Sequence, residues 1–260
     1  MARMRPVSHE DRLTVVEHLD ELRTRLIVSI GAFLVAFAVC FWQNHFILDL
    51  LNEPLPDGHE PITLGVTEPF MTTVTISAYA AILIALPVVL YQVYAFVLPA
   101  FSPTERKLAL PMLLMVPFLF LGGVVFGYYV VLPAAVKFLL NFNDDQFNIQ
   151  IRAREYYSFA ALTLVAMGTL FQIPVAILAT TKLGLTTPRQ LRRHRRHAIV
   201  VIAVVAMLLP GTDPVTMLIA MVPLIVLYEL SIVLASVLGR PPRERAEERV
   251  EGAPAAEGPG

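Results

Sequence analysis

Apolar residues in this chain gather into six runs, at about residues 26–46, 70–98, 108–132, 157–181, 198–209 and 216–238, with polar stretches between them. A helix rises ~1.5 Å per residue, so a bilayer core of ~30 Å takes about 20 apolar residues to cross. The pattern therefore predicts an all-α polytopic membrane protein with six transmembrane helices. The run from Leu26 is too long for a signal peptide and lacks a small-residue cleavage site, so it reads as a retained first span. The fifth run, 198–209, is the exception: its 12 residues reach only about 18 Å. Either its basic start snorkels to the interface, or the Pro210-Gly211-Thr212-Asp213-Pro214 turn lies below the membrane surface. Ser102-Pro103-Thr104-Glu105 and Thr187-Pro188 place a capping hydroxyl before a proline and predict the starts of the third and fifth helices. Pro87, Pro117, Pro174 and Pro223 fall inside spans and predict bends. No internal repeat is evident. Residues 1–240 read as one transmembrane domain with an amphipathic N-terminal segment. Residues 241–260, rich in Pro, Gly, Ala, Glu and Arg, read as a disordered tail.

Composition supports this division: 56% of the 260 residues are hydrophobic, 16% are charged, and mean hydropathy is +0.65. The formal charge of -1 conceals a segregation. Seventeen of the twenty Lys and Arg residues lie in the N-terminal segment, the 99–109 and 182–197 loops and the C-terminal tail. Only Lys137, Arg152 and Arg154 lie in the alternate loops. Basic residues favour the cytoplasmic side, which predicts both termini inside and a multi-pass protein of the cytoplasmic membrane. The single Cys40 offers neither a disulfide nor a thiolate metal site, and the histidines are scattered. No nucleophile–base pairing, phosphate loop or metal motif is present, so the expectation is a non-enzyme without a cofactor. The Arg192-Arg193-His194-Arg195-Arg196 cluster sits beside a span and reads as an anchor to anionic lipid rather than a nucleic-acid patch.

Polar residues with possible chemistry stand at three levels. Near the N-terminus, Leu19, Leu22 and Leu26 form an apolar stripe, Glu17 and Glu21 share a face, and Glu21 precedes Arg25 by one helical turn. That spacing permits an ordinary helical ion pair, or a carboxylate that accepts the forked donors of a partner's arginine. Glu105 is spaced from Ser102 as in a capping box, yet shares the basic membrane side with Glu17 and Glu21. Within the bilayer, Gln172 interrupts the fourth span, where its amide needs partners from another helix, from the carbonyl freed by Pro174, or from a polar cavity. Glu229 precedes Arg240 by eleven residues, about 16 Å along a helix, so it is either paired or functional. Asp213 is placed to cap the helix that Pro214 opens. A competing reading is a small-solute transporter with Glu229 and Gln172 as a midplane pair.

In order along the chain, Glu17 through Leu26, Pro54-Leu55, Glu68-Pro69-Phe70, Leu90 through Phe96, Leu98-Pro99-Ala100, Glu105-Arg106, Phe126-Gly127-Tyr128, Tyr157-Ser158-Phe159, Phe171 through Val175 and Met207-Leu208-Leu209 resemble the TatC family. TatC is the large subunit of the twin-arginine translocase. The resemblance implies a glove-like, concave six-helix bundle with short fifth and sixth helices. It implies binding of paired-arginine signal peptides on folded cargo, and export driven by the proton-motive force without nucleotide hydrolysis. It also implies single-span TatA and TatB-type partners and a homo-oligomer within the complex. By motif position Glu21 and Glu105 match the acidic signal-binding residues, and Arg23, Pro54, Phe70 and Tyr128 match functional or structural positions. Gln172 stands where relatives often carry glutamate, so it keeps hydrogen-bonding capacity and loses ionisation. Pro210 and Met217 replace a threonine and a glutamine that many relatives carry around the turn after Leu209.

Overall fold

The computed structural model describes residues 9–56, 58–97, 103–147, 149–182, 185–209 and 213–238, with side chains at 9–18, 97, 103–114, 182 and 237–238 excepted. The predicted tail at 241–260 and the Ser102 half of the proposed capping box lie outside them. Among the described residues the chain is helical, and its one β-type contact is an isolated parallel bridge between Ile62 and Arg152.

The N-terminal amphipathic segment and the first span are one helix, α1 (His9–Trp42). Phe33, Ala36, Phe37 and Cys40 pack it against Ala80 and Ala81 of α3 (Glu68–Val97). Between these two lies α2 (Asn44–Asn52), a short helix that the apolar-run ruler does not detect. Its Leu51 enters a core built with Ile76, Tyr128, Leu132, Tyr156, Tyr157 and Leu164.

The third run divides into α4 (Pro103–Phe126), a π turn at Gly127–Val131 and α5 (Leu132–Asn141). The turn lies beside the close crossing of α4 on α6 (Ala153–Leu170). Two glycines make that approach possible. A Cβ on Gly123 would stand 2.5 Å from the Met167 carbonyl oxygen, and one on Gly168 would stand 2.5 Å from the Phe120 ring. Small residues at such crossings let backbones touch where no hydrophobic drive between helices exists in lipid.

The fourth run breaks at Phe171–Gln172 into α6 and α7 (Ile173–Lys182). Pro174, which donates no amide hydrogen, sits in the first turn of α7. Pro87 and Pro223, by contrast, lie inside unbroken helices. After α7 come α8 (Pro188–Arg193), α9 (Arg195–Met207) and α10 (Pro214–Leu238). Thr187 caps a helix as its sequence predicts, with Thr187 Oγ1 accepting from the Gln190 amide at 3.2 Å and Gln190 Oε1 from the Thr187 amide at 3.0 Å, but that helix is the short α8, and the fifth span, α9, starts separately at Arg195.

Among the described residues, five stretches are long and apolar enough to cross a membrane: Leu19–Trp42, Glu68–Phe96, Met115–Asn141, Ala153–Thr181 and Pro214–Ser236. The fifth apolar run forms α9, whose 13 residues show the shortness anticipated from its sequence, whereas the sixth forms α10, whose 25 residues exceed the short sixth helix that the resemblance implied.

Candidate functional site

At the end of the bundle where α1 begins, Glu21 and Arg25 form the ion pair that their spacing allows. Arg25 Nε donates to Glu21 Oε1 at 3.1 Å. A third partner, not signalled by local spacing, is Gln92 on α3, whose Oε1 accepts from Arg25 Nη1 at 3.1 Å. Arg25 thus spans two helices and orients a carboxylate whose side chain is 33% exposed. Arg23 is exposed on the same helix. Glu17 lies one turn before Glu21. Glu105 stands in the first turn of α4, the helix that follows the one carrying Gln92. The side chains of Glu17 and Glu105 lie outside the described residues.

Tyrosine hydroxyls clasp the opposite end. Tyr128 donates to the Leu50 carbonyl at 2.8 Å and to Glu53 Oε2 at 2.9 Å. Tyr156 donates to the Leu51 carbonyl at 2.6 Å, and Tyr157 to Asn52 Oδ1 at 2.8 Å. These three satisfy the final turn of α2 just before Pro54. Tyr128 is therefore a structural anchor, and Pro54 follows the segment that it holds. Phe70 is exposed in the first turn of α3.

The same end holds a charged clasp that the sequence reading did not single out. Buried Glu68 accepts from Arg152 Nε at 2.8 Å and from the Leu64 and Gly65 amides at 3.0 and 3.2 Å. Arg152 in turn has its pKa raised, first by its hydrogen bond to Glu68 and then by that carboxylate's charge, so it is cationic at any pH the protein meets. A motif signal existed, because Glu68 opens the quoted Glu68-Pro69-Phe70 run. Its partner lies 84 residues away, where no periodicity could point.

Between the two ends, Gln172 sits in the break between α6 and α7. Its Nε2 donates to the Val116 carbonyl on α4 at 3.2 Å, while the buried Oε1 has no described protein partner. An open, almost wholly apolar groove lies between α6 and α9, lined by Leu162, Val165, Ala166, Leu170, Val205 and Leu208. Met207, at the end of α9, is exposed. Asp213 is the expected cap: its Oδ1 accepts from the Thr216 amide at 2.7 Å, and its Oδ2 is buried without a described partner. Glu229 is paired, receiving Arg195 Nη2 at 2.7 Å. Glu229 and Gln172 thus serve different neighbours and do not form the midplane pair that a small-solute carrier would use.

A family model described as "Sec-independent protein translocase protein (TatC)" matches residues 17–223. A protein of that description from Aquifex aeolicus (strain VF5) is 36% identical over 237 residues, 89% of this chain and 98% of the relative. Another, from Escherichia coli (strain K12), is 34% identical over 230 residues, 87% and 89% of the two chains. A crystal structure titled as the twin arginine translocase receptor TatC in DDM superposes with a TM-score of 0.74 at 36% identity, covering 86% of this chain and 100% of its own.

Proposed function

The chain belongs to the TatC family of Sec-independent protein translocase proteins, and on that premise we propose that it is the signal-recognition core of a twin-arginine translocase. In this reading both termini face the cytoplasm, and the α1 end of the bundle receives the paired guanidinium groups of a signal peptide. Glu21 and Glu105 are the principal acceptors, Glu17 adds a third carboxylate, and Arg23 borders them.

The observation that carries the reading is the Glu21–Arg25–Gln92 chain across α1 and α3. It holds a carboxylate in place at the edge of the bundle, partly shielded and already adapted to a guanidinium. A signal arginine that displaces or joins Arg25 exchanges one charge-assisted contact for another, and the carboxylate pays no new desolvation cost. Planar bidentate geometry favours arginine over lysine at such a site.

Partner organisation finds support along the α6–α9 groove, where a single-span TatA or TatB-type helix would cover apolar side chains. Glutamine cannot ionise, so coupling to the proton-motive force does not run through protonation of residue 172.

Site-specific crosslinking to a twin-arginine signal tests the central claim. Glu21→Ala combined with Glu105→Ala should abolish the crosslink while membrane insertion and folding stay normal. An undiminished crosslink in a well-folded double variant refutes the assignment.

A further inference from the structure

The short helix α9 begins among arginines, and their height in the bundle is fixed by side-chain contacts. Leu191 of α8 packs with Tyr228 and Ile232 of α10, and the Tyr228 hydroxyl donates to the Leu191 carbonyl at 3.0 Å. Arg195 meets Glu229 at 2.7 Å. The α8–α9 elbow therefore stands beside residues 228–232 of α10. Beyond Glu229, α10 runs on through Leu238 with no charged residue, nine residues or about 13 Å of apolar helix. Leu230 and Val233 on that stretch are exposed, at 46% and 53%. On the neighbouring α7, Leu178 packs against Ala235.

Arg189, Arg192, Arg193, Arg195 and Arg196 are all exposed at this height, and among the described residues only Arg195 has an acidic partner. Guanidinium groups keep their protons even in apolar surroundings, so four positive charges stand level with side chains that demand lipid. They need an anion that can travel with acyl chains. We propose that Arg189, Arg192, Arg193 and Arg196 form a binding surface for the phosphate-bearing headgroups of anionic phospholipids, drawn inward alongside the last turns of α10. A lipid satisfies both halves of the surface: phosphate oxygens fit the arginine forks, and the acyl chains cover Leu230 and Val233. An acidic polypeptide would answer the charges and leave the apolar side chains bare. This assignment does not depend on signal recognition.

The full-length protein in detergent is titrated with phosphatidylglycerol or with phosphatidylcholine of the same acyl chains, and bound lipid is read by native mass spectrometry. Phosphatidylglycerol should bind at least about tenfold more tightly, and its binding should weaken as ionic strength rises. Replacing all four arginines by glutamine should bring the two lipids to near parity. Replacement by lysine should keep most of the preference, and Arg154→Gln at the other end of the bundle should keep all of it. If the glutamine variant fails to fold, the wild-type headgroup preference and its salt dependence still decide the matter. Equal binding of the two lipids by the wild type overturns the proposal. Competition by inorganic phosphate as effective as that by phosphatidylglycerol reassigns the surface to free phosphate and overturns the lipid assignment. Tighter binding of polyglutamate than of phosphatidylglycerol overturns it as well.

Discussion

The two ends of the bundle are held in different ways. Where α2 lies, neutral hydroxyls donate across 75 to 105 residues of sequence to main-chain and side-chain acceptors, and one buried carboxylate accepts from an arginine 84 residues away. Where α1 begins, an ion pair within one helix is linked to α3 by the Gln92 amide. The first arrangement fixes a shape, because the three tyrosines and the Glu68 carboxylate are buried and bond to partners brought from distant segments. The second leaves the Glu21 carboxylate about a third exposed, where one guanidinium can be exchanged for another at low cost. A protein that, as proposed, grips a charged tag and then releases it would need both kinds of end.

Four variants probe this division. The largest effect is expected at the crossing that joins the ends. Gly123→Ala places a methyl against the Met167 carbonyl and should cost about 3 kcal/mol in thermal unfolding in detergent, with signal crosslinking lost along with the fold. The Glu21→Ala, Glu105→Ala pair should weaken signal binding by roughly a hundredfold, about 2.7 kcal/mol, with the unfolding midpoint little changed. Tyr156→Phe should do the reverse, costing about 1 kcal/mol of stability through the lost bond to the Leu51 carbonyl while signal binding stays intact. If Tyr156→Phe weakens signal binding and leaves stability untouched, the contrast between the ends is wrong. The smallest effect is expected at Ser77, whose buried hydroxyl has no described partner. Ser77→Ala should change stability by less than about 0.5 kcal/mol, or raise it.

What the sequence made legible follows from range. Apolar runs located five long spans and the short helix α9 because the bilayer ruler acts residue by residue. Caps at Thr187 and Asp213 and the Glu21–Arg25 spacing were readable because donor and acceptor lie within one turn. The prolines were ambiguous: Pro174 coincides with a helix break, whereas Pro87 and Pro223 are carried inside continuous helices whose neighbours repair the missing bond. α2 was hidden because its nine residues are too few to span. The Gln92 link, the tyrosine bonds and the Glu68–Arg152 clasp were invisible because each joins distant segments that only packing brings together. Glu229 shows the boundary between these cases. Its depth showed that it required a partner, and only the fold identified Arg195.

The Ile62–Arg152 bridge has one more consequence. The Ile62 amide donates to the Ile151 carbonyl, the Ala153 amide donates to the Ile62 carbonyl, both at 2.8 Å, and the Arg152 side chain returns to Glu68 six residues along the same loop. The main chain flanking Arg152 and the side chain of Arg152 thereby close residues 62–68 into a non-covalent ring. The Leu64 and Gly65 amides point at the same Glu68 oxygen inside that ring, so they should exchange with solvent deuterium as a concerted pair and more slowly than their surface position suggests.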